Sequence, residues 1–209
     1  MLLLLCMMQR IIWLTISCFL FFSTSILAQQ RPFALQSLSL SVVNENVAFP
    51  AIKIFENPLH PGMAAGACFT FNRSENSWFE LHPETGFYLH RQHENGLLIT
   101  CPVNYHYRFN FGMAVGGGIG IGYLHTFSNQ PEYRMQDGVY KRITGAGNAQ
   151  FIVTTGLDIS YRFLAETAHP VDIFAAYKFL VQLPYAAPIG IPLLPHTIFQ
   201  IGTSWYLFP

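Results

Sequence analysis

The chain has 209 residues and no net formal charge at pH 7. Charged residues make up only 11%, against 51% hydrophobic and 15% aromatic. A soluble domain carries roughly 25% charged residues, and a nucleic-acid partner needs a basic surface, so neither reading suits this chain. Such a composition belongs to a protein whose surface meets something other than water.

The first element is Met1 to Ala28. Arg10 precedes an apolar run from Ile11 to Phe22, and a polar stretch leads to Ser25-Ile26-Leu27-Ala28 before Gln29. The run is short for a membrane span, so residues 1–28 read as a cleaved export signal and 29–209 as one domain. Removing Arg10 leaves 10 basic against 11 acidic residues. Cys68 and Cys101 remain, on opposite faces of strands that are not neighbours, and no disulfide is expected.

Period-two alternation runs through the rest of the chain and predicts eight strands. In the first, Phe33 to Val43, Leu38, Leu40 and Val42 alternate with Ser37, Ser39 and Ser41. The second is Gly62 to Asn72. A third runs to about His90, with Phe79, Leu81, Phe87 and Leu89 opposing Glu80, His82, Glu84, Tyr88 and His90. Asn95-Gly96, a two-residue turn pair, leads into the fourth, Leu97 to Arg108. Pro83 and Pro102 fall inside these strands, where proline costs a ladder hydrogen bond.

The fifth strand, Phe111 to His125, is the most distinctive. Phe111, Met113, Val115, Ile119, Ile121 and Tyr123 share one face, while Gly112, Ala114, Gly116, Gly118, Gly120 and Gly122 share the other. A helix would scatter those glycines at about 1 kcal/mol each; a strand gathers them on one side. The polar stretch Thr126 to Asn148 reads as a long loop. The sixth strand, Ala149 to Phe163, opposes Phe151, Tyr161 and Phe163 to Asp158 and Arg162. The seventh is Val171 to Gln182, with Asp172 and Lys178 on its polar face. A proline-rich loop, Leu183 to His196, precedes the eighth, Thr197 to Phe208.

Long connections fall on one side and short turns on the other, with Asn95-Gly96 shorter than that rhythm suggests. The bulky face belongs outside, because the interior of a closed eight-stranded barrel is only wide enough for side chains to fill it. Inward charges then need partners. If Phe163 faces Val171, Arg162 lies opposite Asp172 and Lys178 lies diagonal to Asp158. A three- to five-residue link between the third and fourth strands brings His106 near Glu84 or His82. The expected lumen network is Glu80, His82, Glu84, Asn104, His106, Arg108, Asp158, Arg162, Asp172 and Lys178. Metal-ligand spacing and cofactor motifs are absent from the sequence.

With its leader, its alternation and its loop rhythm, the chain resembles the small eight-stranded outer-membrane β-barrels of Gram-negative bacteria. That resemblance implies an all-β, antiparallel, up-and-down transmembrane barrel in the outer membrane. Outer-membrane lipid and the barrel-assembly machinery are its implied partners, and nucleic acid is not. The expected role is non-enzymatic, in envelope structure or surface interaction. Some members are lipid A deacylases that place a His and a Ser two residues apart on a strand, with a Glu. His125, Ser128 and Glu132 look like that set with one extra residue, which turns His125 and Ser128 to opposite faces unless a bulge intervenes. A narrow pore for small solutes is a further alternative.

Overall fold

The computed structural model describes residues 33–47, 59–90, 94–128, 132–136, 138–143, 147–167, 169–183 and 193–207. The expected leader, residues 1–28, lies outside them, as do Pro50, Pro58, most of the proline-rich 183–196 loop, Phe208 and Pro209. The chain divides into two units, Met1–Phe33 and Ala34–Pro209, and every strand belongs to the second.

The described residues form eleven strands: β1 Ala34–Asn46, β2 Pro61–Arg73, β3 Ser77–Leu81, β4 Glu84–Tyr88, β5 Glu94–Arg108, β6 Met113–Ser128, β7 Glu132–Gln136, β8 Val139–Ile143, β9 Asn148–Phe163, β10 Val171–Leu183 and β11 Leu194–Tyr206. All pairings are antiparallel: β6 pairs with β9, β7 and β8 form a separate two-stranded sheet, and β1 pairs with both β2 and β11, which closes the ring. Because β3 and β4 both lie between β2 and β5, they form one interrupted stave, and the ring has the eight staves expected.

The interruption is at His82-Pro83, opposite Pro102. Pro102 accepts a hydrogen bond from the His82 amide at 2.9 Å, and the Ala67 amide donates to Pro83 at 3.0 Å. In an antiparallel ladder a residue's N–H and C=O point to the same neighbour. The donor that Pro102 lacks therefore faces the gap between β3 and β4, where no ladder bond is broken by its absence.

Two expected connections take a different form. Asn95-Gly96 is not a turn but lies inside β5, where Gly96 pairs with Tyr88 and leaves residues 89–95 between them. The glycine is there for space, since a Cβ on Gly96 would land in the Tyr88 ring. The stretch expected as a structureless loop, Thr126 to Asn148, instead extends β6 to Ser128 and then forms the β7–β8 hairpin, closed at Gly138 with φ +78°. A positive φ suits glycine because it has no side chain to clash. The short connections 74–76, 109–112 and 164–170 gather at one end, called here the turn end. The other connections gather at the loop end.

Side chains separate as volume requires. Phe151, Tyr161 and Trp205 point outward and are close to half exposed, and Leu157 is 73% and Ile119 65% exposed. Outside, aromatic rings cluster at both ends of the staves. Tyr107, Phe109 and Phe111 touch in series at the turn end, beside Tyr161–Phe163 and Phe71–Phe79–Tyr105. Tyr123, His125 and Phe127 do so at the loop end. Aliphatic Ile119, Ile121, Leu157 and Ile159 lie between the two groups. At 16 residues β6 is long enough: tilted as barrel strands are, it rises about 40 Å, more than the ~25 Å apolar band of a membrane barrel.

One inward feature departs from the expectation of a uniformly small and polar centre. Tyr88, Leu98, Leu124, Ile152, Leu180 and Ile198, one from each of six staves, meet in a single buried cluster, with Val43 packed against it. This apolar plate crosses the lumen toward the loop end, with Leu124 and Ile152 only 2% and 0% exposed.

Candidate functional site

The ten expected lumen residues all lie on inward positions of their strands, and they divide into three groups between the plate and the turn end. Nearest the plate, Lys178 Nζ donates to Glu84 Oε1 at 2.7 Å, and Gln200 Nε2 donates to Glu84 Oε2 at 2.8 Å and to Ser41 Oγ at 2.6 Å. His82 lies over Gly66 with its Nε2 3.0 Å from Ser39 Oγ. Lys178 therefore reaches across the lumen to Glu84 rather than diagonally to Asp158, as the register alone suggests.

The middle group is built on the glycine strand. Gly116 of β6 pairs with His106 on one side and Asp158 on the other. Their side chains fold over the bare glycine and meet, His106 Nε2 to Asp158 Oδ1 at 3.0 Å. A Cβ at Gly116 would strike the His106 ring, and one at Gly118 would strike Asn104. The glycines thus supply the floor on which larger neighbours lie. Glu80 stands 3.8 Å from His106 Nδ1 and accepts from Trp78 Nε1 at 3.1 Å, while Trp78 stacks on the His106 ring. His106 does not approach Glu84 or His82 as expected. The chain reverses before Asn95-Gly96 rather than at that pair, which sets Tyr88 opposite Gly96 and His106 opposite Trp78.

At the turn end, Arg162 lies opposite Asp172 and Phe163 opposite Val171, the register anticipated from the turn. Asp172 accepts from Arg162 Nε at 2.8 Å, from Arg108 Nη2 at 2.6 Å and from the Tyr206 hydroxyl at 2.8 Å. Arg162 stacks over Tyr206 and Arg108 over Trp78, so both guanidinium planes are held on two sides. A cavity of about 90 Å³ runs through these groups. Ligand pockets are typically 300–1,000 Å³, so it suits a few waters.

Beyond the plate is a cluster of Glu45, His60, His196 and Gln182, with His90; the sequence places Glu45, His60 and His196 in loops, and His90 and Gln182 on the polar faces of the third and seventh strands. Both Glu45 and His196 were readable by parity. Glu45 continues the inward row Ser37, Ser39, Ser41 of β1, and His196 continues Ile198 and Gln200 of β11. The apolar signal of both strands fades before these residues, so pattern alone ended each strand early. His60, just before β2, carries no periodic signal at all.

The His125, Ser128 and Glu132 set lies on the rim of β6 and in β7. His125 packs between Tyr123 and Phe127 on the outward face, its Nδ1 2.7 Å from the Tyr123 hydroxyl. Register runs without a shift from Leu97↔His125 to Glu94↔Ser128. No bulge brings residues 125 and 128 to one face, and the side chains of Ser128 and Glu132 lie outside the described residues. Cys68 is buried in the lumen and Cys101 exposed on the outer face, both as free thiols.

No protein-family profile and no curated protein matches the chain. Among solved structures it is similar to Neisserial surface protein A, with 8% identity and a TM-score of 0.48 over 83% of this chain and 97% of that one. It is also similar to the N-terminal β-barrel domain of Pseudomonas aeruginosa OprF, with 13% identity and a TM-score of 0.43 over 82% and 97% of the two chains. The attachment invasion locus protein Ail of Yersinia pestis gives 13% identity and a TM-score of 0.43 over 82% and 97%. At these identities the likeness is one of fold: the chain resembles small outer-membrane β-barrels.

Proposed function

We propose that this protein is an integral outer-membrane barrel with a closed lumen, serving envelope structure or surface interaction rather than transport. Residues 1–28 direct its export and are removed, the assembly machinery inserts the barrel, and lipid is its principal partner. The loop end then faces outward from the cell.

The observation that carries this reading is the plate. Six large apolar side chains close the lumen, and beneath them Glu84, Asp158 and Asp172 each have a cationic or histidine partner. Ions crossing that section would lose their hydration to five aliphatic side chains and the single hydroxyl of Tyr88. The outer surface supports the same reading. A belt of half-exposed aliphatic and aromatic side chains around the whole ring is far larger than the few hundred Å² of apolar patch tolerated by a monomer in water.

The test is reconstitution of the refolded chain into planar bilayers, with folding confirmed by a shift in gel mobility on boiling. A heat-modifiable protein that gives no stepwise conductance is the expected result. Steady single-channel steps from the native chain would overturn the closed-lumen reading. Recovery of the expressed protein in the soluble fraction would overturn the membrane one.

A further inference from the structure

On the loop side of the plate, four side chains from distant parts of the chain converge on one point. Glu45 is 0% exposed, and its two carboxylate oxygens have different neighbours. Oε1 accepts from His196 Nδ1 at 2.7 Å, and His196 Nε2 is 2.5 Å from Gln182 Oε1. Oε2 accepts from His90 Nδ1 at 3.0 Å and lies 3.9 Å from His60 Nδ1. The His60 and His90 rings stack with centroids 3.5 Å apart.

His60 is the odd member of this group. Its Nδ1 lies 2.9 Å from the backbone oxygen of Glu45. A carbonyl only accepts, so that nitrogen carries the proton and Nε2 carries the lone pair. Nε2 is buried and has no hydrogen-bond partner. Buried polar atoms are almost always satisfied, and a lone pair that no protein donor faces is satisfied by a water or by a cation.

The spacing fits one. Around a tetrahedral zinc ion with bonds of about 2.1 Å, ligand atoms lie roughly 3.4 Å apart. His90 Nδ1 stands 3.0 Å from Glu45 Oε2, just inside that value. One ligand atom from each of Glu45, His60 and His90 lies within 4.8 Å of the other two. The supporting hydrogen bonds are also those of a metal site. A ligating histidine donates its other N–H to a carbonyl or carboxylate, and a ligating carboxylate is itself hydrogen-bonded. His60 does the first toward Glu45, and His196 does the second for Glu45.

We propose that Glu45, His60 and His90 bind a divalent transition-metal ion of the zinc class at the loop end of the barrel, with His196 as a positioning residue that orients Glu45. Two imidazoles and one carboxylate suit zinc, copper or nickel, whereas calcium and magnesium require oxygen ligands throughout. Three protein ligands leave a coordination position for water or for a group brought by the surroundings. The proposal stands on the geometry of the barrel end and does not depend on whether the lumen conducts.

The experiment uses the untagged full chain, refolded in detergent and stripped with chelator, titrated with Zn²⁺ by calorimetry. One equivalent bound is the expected result. His60→Gln and His90→Gln weaken binding at least tenfold, and His196→Gln weakens it about tenfold, as loss of an outer-shell partner does. The double variant His125→Gln/His169→Gln, at histidines outside the lumen, binds as the native chain does. Folding of each variant is read from its heat-dependent gel mobility before metal is added. Where a variant does not fold, electron paramagnetic resonance of Cu²⁺ bound to the native chain reads the ligands directly, with coupling to imidazole nitrogens expected. Absence of stoichiometric uptake by the native chain overturns the proposal. So does native-like binding by His60→Gln, or a copper spectrum without imidazole coupling.

Discussion

The two ends of the lumen solve the same problem in opposite ways. At the turn end a single carboxylate, Asp172, accepts from Arg108, Arg162 and Tyr206, all donors that are charged or polar by permanent chemistry. At the loop end a single carboxylate, Glu45, is surrounded by histidines, whose donor capacity depends on tautomer and on what else they bind. In the first arrangement both carboxylate oxygens of Asp172 are met by fixed donors. The second leaves a buried nitrogen of His60 with no protein partner. A charge clamp holds staves together; a histidine cage holds a place for something. The plate between them keeps the two environments apart.

The largest effect should come from breaking the clamp. Asp172→Ala leaves two guanidinium groups facing one another across the lumen, and loss of about 3–5 kcal/mol is expected. Denaturant unfolding in detergent or lipid vesicles measures it, and a change under 1 kcal/mol would mean that the turn end is open to water. At the plate, Leu124→Ala removes a fully buried side chain and should cost about 3 kcal/mol. The same variant sharpens the comparison, since a thinned plate predicts intermittent conductance in bilayers where the native chain gives none.

A smaller loss is expected at the glycine floor. Gly116→Ala puts a methyl group where the His106 ring lies, parting His106 from Asp158 at a cost of about 1–3 kcal/mol. Gly117→Ala, the adjacent outward position, does not touch that pair, so equal effects from the two substitutions would count against the floor. Smallest of all, His125→Ala on the outer rim should change stability by no more than about 0.5 kcal/mol. It should leave membrane insertion intact, as judged by gel mobility before and after boiling.

How much of this was readable beforehand differs residue by residue. Period-two alternation located the staves because the pleat imposes it on each strand independently of the rest. It failed at Asn95-Gly96, where a turn-forming pair serves as space beneath Tyr88, a contact between strands that no local pattern encodes. The pairing of Arg162 with Asp172 was legible because a short turn sets the register of its two strands. Lys178 was assigned by the same logic toward Asp158, yet it pairs with Glu84 across the barrel. Cross-lumen contacts depend on how the ring closes, and a hairpin says nothing of that. The plate escaped notice for the same reason: Leu98, Leu124 and Ile152 are each a single apolar residue in a polar row, and only the closed ring shows that they share a level.

By itself the sequence determined which face of each strand is apolar, and therefore that a closed barrel puts its bulk outside. These are properties of nearest neighbours along a pleated chain and of the volume available inside eight staves. Only the tertiary structure decided what meets in the lumen, because Glu45, His60, His90 and His196 are brought together by the stagger at which the ring closes. That stagger is a sum over all the pairings, and no one segment of the chain contains it.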